Sequence, residues 1–122
     1  MPKTIITVAP TGAWPTREHN PNIPLNPREI ADDVYACWQA GAGIAHLHMR
    51  DANGKGTMDK ERFRETVTLI REKCDIVVNL TTSGDLNATD ETRMAHLVEL
   101  IDLGLVAHDA DGSGDDRYRP AG

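Results

Sequence analysis

The chain has 122 residues, enough for one small domain, and its 39% hydrophobic and 26% charged content is ordinary for a globular protein. A formal net charge of −6 argues against a nucleic-acid or anionic-membrane partner, because both attract a basic surface. No stretch approaches the roughly 20 apolar residues of a membrane span, and the first residues show no signal-peptide pattern. Cys37 and Cys74 do not make a disulfide framework. We therefore expect both to be free cysteines, buried as small apolar side chains in a reducing cytoplasm.

The first predicted strand is the short β-branched run 5–9, which ends at Pro10-Thr11-Gly12. A proline-rich loop follows, and residues 26–29 then predict a helix start. Asn26 can cap the helix, Pro27 suits its first position, and Glu29 stands where a capping box requires it. The helix should end at Gly41, and its apolar stripe is Ile30, Val34, Cys37 and Trp38.

The second predicted strand, residues 43–50, carries two histidines that lie two residues apart. Because strand side chains alternate between faces, His46 and His48 should point the same way. The opposite face is apolar, with Ala45, Leu47 and Met49. The turn residues Asn53-Gly54 should stop the strand just beyond the pair.

The remaining pattern again alternates helix and strand. Asp59 can cap a helix with the stripe Phe63, Val67 and Ile70, and residues 76–80 predict a third strand. A third helix should open at Asn87 or Thr89 and direct four apolar side chains inward: Met94, Leu97, Val98 and Ile101. Residues 103–107 predict a weak fourth strand.

Strand–helix alternation with short turns predicts an α/β fold whose parallel strands are joined by right-handed crossovers. We assign residues 1–107 to this domain. Residues 108–122 lose all periodicity among aspartates and glycines, and we interpret them as a disordered tail.

The histidine pair is the main candidate for chemistry, because imidazoles that share a face can bind one metal ion. The alternative is a pair of buried, hydrogen-bonded histidines. Catalytic zinc keeps three protein ligands and an open position, so two ligands alone should bind weakly.

Other polar residues lie near the same strand ends, each with a structural alternative. Thr11 and Gly12 suit close approach of a substrate to the backbone, or an ordinary turn. The hydroxyls of Thr81, Thr82 and Ser83 suit binding of a carboxylate, or turn and capping roles.

Three further positions have less clear roles. Asn79 should face the same side as the histidines, at the carboxyl ends of the strands, which we call the mouth of the sheet. Alternatively, it should pair with side chains of neighbouring strands. We expect Arg50 and Asp51 to form a surface ion pair or a turn that leads into the next helix, rather than to orient a histidine through Asp51. His96 falls on a predicted helix without a partner at a useful spacing.

Several ordered blocks resemble one family, the β-keto acid cleavage enzymes. They are residues 9–13, 24–30, 40–51, 70–74, 81–84 and 93–97, of which Ala45-His46-Leu47-His48-Met49-Arg50-Asp51 is the most specific. The resemblance implies a (β/α)8 TIM barrel, of which this chain supplies the N-terminal three to four βα units. It also implies that His46 and His48 hold zinc together with a carboxylate from a later strand, which is not among these residues.

Members of this family condense a β-keto acid with acetyl-CoA, move CoA within the adduct, and release acetoacetate and a new acyl-CoA. The resemblance therefore implies a β-keto acid and acetyl-CoA as small-molecule partners, and a homo-oligomer. It also aligns Thr81 with a serine that contacts substrate. Trp14 stands where some members carry a glutamate that touches an amino-bearing substrate, which favours an apolar or different keto acid here.

A TIM barrel takes at least about 200 residues, so the simplest interpretation is a truncated or frame-disrupted copy. Two alternatives stay open beside the enzyme. One is an inactive remnant or a protein that serves only as an interaction surface. The other is a barrel metallohydrolase that activates water on its histidine pair.

Overall fold

The structure, a computed structural model, describes residues 3–105. A parallel sheet is formed by β1 (Thr7–Val8), β2 (Ile44–Leu47) and β5 (Val77–Leu80), in the order β1-β2-β5. The three helices are α1 (Pro27–Gln39), α2 (Lys60–Arg71) and α3 (Asp90–Asp102). A short antiparallel hairpin of β3 (Met49–Arg50) and β4 (Gly56–Thr57) lies between β2 and α2. The predicted α/β architecture with parallel strands is confirmed.

The helix starts follow the local sequence. Asn26 accepts a hydrogen bond from the Glu29 amide at 2.8 Å, and the Glu29 carboxylate accepts one from the Asn26 amide at 3.2 Å, so the predicted capping box is present. Asp59 caps α2 as predicted, and Thr89, one of the two predicted candidates, caps α3. No helix within residues 3–105 is long and apolar enough to cross a membrane.

The core lies on one face of the sheet. Ala45 and Leu47 of β2 pack there with the predicted α2 stripe, whose members Phe63, Val67 and Ile70 are fully buried. In α1, Ile30 and Val34 are buried as predicted, whereas Trp38 is 36% exposed. Burial of these side chains, at roughly 1.5–3 kcal/mol each, drives the helices onto the sheet.

The second strand differs from its prediction because it breaks at His48. Residues 44–47 pair with β1 and β5, whereas Met49 and Arg50 pair with the returning segment at Gly56–Thr57. The turn at Asn53-Gly54 therefore closes a hairpin rather than simply ending a strand, and Gly54 takes a left-handed φ of 80°.

The inward face of α3 was predicted wrongly in part. Met94 and Val98 are 48% and 58% exposed, whereas His96 and Leu100 are fully buried. Leu97 and Ile101 pack at the edge of the core. The helix has apolar residues on two sides, and the polar His96 is buried because it finds a backbone partner.

The predicted strand 103–107 is wrong in its first part. Leu103 caps α3 and Gly104 has a left-handed φ of 70°, so these residues end the helix. The rest of that segment beyond Leu105, and the predicted tail at 108–122, lie outside the described residues.

The hairpin is wedged between two loops from different βα units. A Cβ at Gly56 would collide with the carbonyl oxygen of Gly84, in the loop after β5, and would lie 3.2 Å from that of Ala13, in the loop after β1. Gly84 in turn faces Thr57 and Met58 with little free space. Only a residue without a side chain fits at Gly56, so the hairpin sets the spacing of the two loops.

We expect Gly56→Ala to destabilise the fold by about 1–3 kcal/mol, because backbone rather than a flexible side chain must move. Gly43→Ala is the matched control, since a Cβ there meets nothing within 4 Å. Urea unfolding midpoints of the two variants measure the difference. Equal midpoints would contradict the tight approach of the hairpin to the loops.

Candidate functional site

The side-chain alternation along residues 44–50 survives the break at His48. Leu47 and Met49 point into the core and are 1% exposed. His46 and His48, both partly buried, share the other face, and their ring centres lie 5.1 Å apart with an interplanar angle of 75°. The two predicted ligands are therefore brought together.

Asn79 lies beside this pair. It is the register partner of His46 across the parallel β2–β5 ladder, and its Oδ1 accepts a hydrogen bond from His46 Nδ1 at 2.6 Å. Both predicted roles of Asn79 thus apply, because it faces the mouth and pairs with a neighbouring strand. The contact places the proton of His46 on Nδ1 and leaves Nε2 as the bare nitrogen.

His48 has a different environment. Its Nδ1 is buried and has no hydrogen-bond partner within residues 3–105. Burial lowers the pKa of His48, and the nearby His46 and Arg50 lower it further. Neutral imidazole is the form that binds metal ions, so the lowered pKa of His48 suits a ligand.

These residues fit part of a zinc site. Two imidazoles on one tetrahedral zinc, at Zn–N distances of 2.0–2.1 Å, hold their ring centres roughly 5 Å apart, as His46 and His48 do. Within residues 3–105, however, no group of three histidine, cysteine or carboxylate side chains could hold a metal ion. The described part of the chain thus offers two ligands of a set that needs at least three.

Arg50 corrects the expectation of a surface ion pair, because it is 1% exposed. Its guanidinium donates to three backbone oxygens: Gly12 at 3.1 Å, Gly54 at 2.8 Å and Thr11 at 3.3 Å. No carboxylate lies within ion-pair distance of it in residues 3–105. Burial lowers the pKa of Arg50 from its usual range, yet arginine stays charged in proteins, so a fixed positive charge lies beside His48.

Asp51 takes no part in orienting a histidine in this structure. Its carboxylate accepts hydrogen bonds from the backbone amides of Asn53 and Lys55, at 2.8 and 3.0 Å. These bonds lower the pKa of Asp51 and shape the hairpin turn. Asp51 thus lies in a turn, but the turn belongs to the β3–β4 hairpin rather than leading directly into a helix as expected.

The loop after β1 presents backbone rather than a free hydroxyl. Thr11 is 5% exposed, and its hydroxyl donates to the Pro24 carbonyl at 2.9 Å. Gly12 has a left-handed φ of 69°, which turns the chain across the mouth. Trp14 follows on the outside, 72% exposed, with its ring edge against His19.

The loop after β5 divides its hydroxyls between structure and solvent. Thr81 is 3% exposed, and its Oγ1 accepts a hydrogen bond from the Ser83 amide at 3.1 Å, which is a turn-forming contact. Thr82 and Ser83 are exposed. Of the three predicted hydroxyls, these two belong to exposed residues, and Ser83 Oγ also lies within hydrogen-bond distance of Thr81 Oγ1, at 3.3 Å.

Sequence reasoning missed the roles of two residues. It found no role for His96, which is buried and bonds to the Thr81 carbonyl at 2.8 Å. It also placed Arg50 at the surface. Neither error could be corrected from the pattern alone, because the backbone partners lie 15 and 38–39 residues away in sequence.

Comparison with known proteins finds one family. The sequence profile of the β-keto acid cleavage enzymes matches residues 3–109. The chain is 46% identical over 95 residues to the 3-keto-5-aminohexanoate cleavage enzyme of Fusobacterium nucleatum, covering 77% of this chain and 35% of that protein.

Two relatives have names with other substrates. The 3,5-dioxohexanoate:acetyl-CoA acetone transferase of Paraburkholderia graminis is 43% identical over 93 residues, 75% of this chain and 30% of its own length. The 3-dehydrocarnitine:acetyl-CoA trimethylamine transferase of Rhizobium meliloti is 35% identical over 88 residues, 69% of this chain and 29% of its own length. The chain thus spans about a third of the length of the curated relatives it matches.

We expect Arg50→Lys to lower the free energy of unfolding by about 1–3 kcal/mol, because the ammonium group of lysine cannot replace a planar guanidinium that donates to three carbonyl oxygens. Arg28→Lys, at an exposed position of α1, should stay within about 0.5 kcal/mol of the parent. Urea unfolding measures both. A parent-like midpoint for Arg50→Lys would show that the three bonds contribute little.

Proposed function

Because the chain belongs to the β-keto acid cleavage enzyme family, we propose that it forms part of a zinc-dependent active site that converts a β-keto acid and acetyl-CoA into acetoacetate and a new acyl-CoA. The observation that carries this proposal is the convergence of His46 and His48, with ring centres 5.1 Å apart, at the carboxyl end of a parallel strand. Parallel α/β folds keep their chemistry at that end.

We further propose that residues 1–107 are part of a (β/α)8 barrel. The parallel order β1-β2-β5, with buried helix faces on one side, is how such a barrel begins. The sheet face with His46 also carries Val77, which is 55% exposed. In a closed barrel this face would be the interior, and the missing ligand would come from another strand.

Zinc, when bound, would act as a Lewis acid that stabilises the enolate of the keto acid. The chain's own part is to present two imidazoles that share one face of the strand. The buried charge of Arg50 beside His48 opposes a cation, so an anionic third ligand is needed to balance the site. The same charge favours a substrate carboxylate at this mouth.

The exposed hydroxyls of Thr82 and Ser83 are the side chains best placed to bind that carboxylate, with the left-handed turn at Gly12 on the other side of the hairpin. The buried hydroxyls of Thr11 and Thr81 shape the loops instead. Trp14, in the loop after β1, offers an exposed aromatic surface. It suits an apolar acyl chain better than it suits the ammonium group of an amino-bearing substrate, which a glutamate at this position would bind. Acetyl-CoA is the proposed co-substrate, since relatives are named for its use.

We expect His46→Ala and His48→Ala each to weaken Zn²⁺ binding by more than the roughly 10–100-fold that a supporting residue costs. His19→Ala is the control, because His19 is exposed and contacts Trp14 rather than the pair. Equilibrium dialysis with metal analysis measures retention. Zinc retention that survives either substitution would contradict the assigned ligands.

Asn79→Ala should weaken Zn²⁺ binding by about 10–100-fold, because His46 loses the acceptor that fixes its tautomer and ring orientation. Asn87→Ala, at an exposed position of the same loop region, is the control. The same dialysis assay applies. Unchanged affinity would mean that the short contact between His46 and Asn79 does not orient the ligand.

An interaction role is a second candidate. It is favoured by large apolar side chains left exposed before β1, on β5 and on α3: Ile5, Val77, Met94 and Val98. Sedimentation and activity assays separate the two. A defined homo-oligomer that binds zinc and releases acetoacetate supports the enzyme, and a metal-free chain that only associates supports the interaction role.

A further inference from the structure

The loop between β5 and α3 is held by two side chains from one face of α3. His96 binds the carbonyl oxygen of Thr81 at 2.8 Å. Arg93, three residues earlier and so on the same side of the helix, donates to the carbonyl oxygens of Thr82, Leu86 and Ala88 at 3.1–3.3 Å. Four carbonyl oxygens of this loop therefore face α3. Two of them belong to Thr81 and Thr82, next to the exposed residues Thr82 and Ser83.

The chemistry of His96 fixes its protonation. A carbonyl can only accept, so Nε2 carries the proton. Nδ1 is buried and has no partner within residues 3–105, which suits a bare nitrogen better than an N–H donor. Burial lowers the pKa of His96 more strongly than its bond to Thr81 raises it, which agrees with a neutral ring. The ring also packs on Phe63 of α2, with centres 4.3 Å apart.

The bond to Thr81 has a consequence for the next residue. A trans peptide is planar, so the amide N–H of Thr82 points opposite to the Thr81 carbonyl, away from α3. No hydrogen bond from that N–H is found within residues 3–105. The bond that fixes the Thr81 carbonyl therefore also fixes the direction of the Thr82 N–H, which lies beside the exposed residues Thr82 and Ser83.

We propose that His96 is a positioning residue that orients the Thr82–Ser83 segment for the carboxylate of a β-keto acid. The proposal rests on the proposed function. It differs from a plain core role, in which any side chain that fills the space against Phe63 would serve equally. A phenylalanine would keep the packing and lose the donor, and a glutamine would keep a donor of similar reach.

The test compares His96→Phe, His96→Gln and Phe63→Leu in the full chain with Zn²⁺ present. Phe63→Leu is the matched control, since it loosens the same contact and keeps the bond to Thr81. Two readouts are taken: amide exchange at Thr81 and Ser83, both hydrogen-bonded in this structure, and acetoacetate affinity by NMR titration.

We expect His96→Phe to speed exchange at these two amides and to weaken acetoacetate binding, each by about five- to tenfold. His96→Gln should recover most of both, and Zn²⁺ affinity should not change. Phe63→Leu should raise exchange throughout the core without singling out the loop.

The proposal is overturned if His96→Phe leaves loop exchange and acetoacetate affinity at parent values, or if its effects match those of Phe63→Leu. Should the parent chain bind no acetoacetate, the proposed function fails at that point. The exchange comparison still decides whether His96 orders the loop, so the two failures are distinguishable.

Discussion

The two-residue alternation of side chains along residues 44–50 is the constraint on which the rest of the structure depends. It sends Ala45, Leu47 and Met49 into the helical layer and the two imidazoles to the opposite face. Burial of the first set fixes the register of β2 against β1 and β5. A slip of one residue would exchange the faces, so the same packing that stabilises the sheet also places the candidate ligands.

Around this strand, loops are fixed by side chains that bind backbone oxygens rather than by partner side chains. Arg50 holds the turn at Thr11 and Gly12, while Arg93 and His96 hold the loop after β5. Buried carbonyls need donors, and a guanidinium supplies several in one plane. In the loop after β5 this leaves the amide N–H of Thr82 without a hydrogen bond within residues 3–105, next to the exposed residues Thr82 and Ser83. In the proposed carboxylate site, these basic residues would therefore act through the loops rather than by contact with the substrate.

The sequence was most informative where the determining contacts are local. Asn26, Asp59 and Thr89 lie within three residues of the amides they cap, and the α2 stripe follows one helical period. The break at His48 was not predictable, because it reflects a change of partner from β5 to the returning segment Gly56–Thr57, which the local pattern does not reveal. The exposed Met94 and Val98 were assigned inward because α3 has apolar residues on two sides, and which side is buried depends on tertiary packing such as that of His96 on Phe63. The shared face of the histidines followed from strand geometry, whereas the bond between His46 and Asn79 depends on the pairing of β2 with β5.

The fit of Gly56 between two backbones has a consequence for how this molecule opens. The hairpin touches the loop after β1 and the loop after β5 at once, although these belong to the first and third repeating units. Because Gly56 lies against both loops, a loop that moved away alone would leave its side of the hairpin without contacts. We therefore expect them to open as one cooperative unit, so that the entrance to the mouth fluctuates between two states rather than fraying residue by residue.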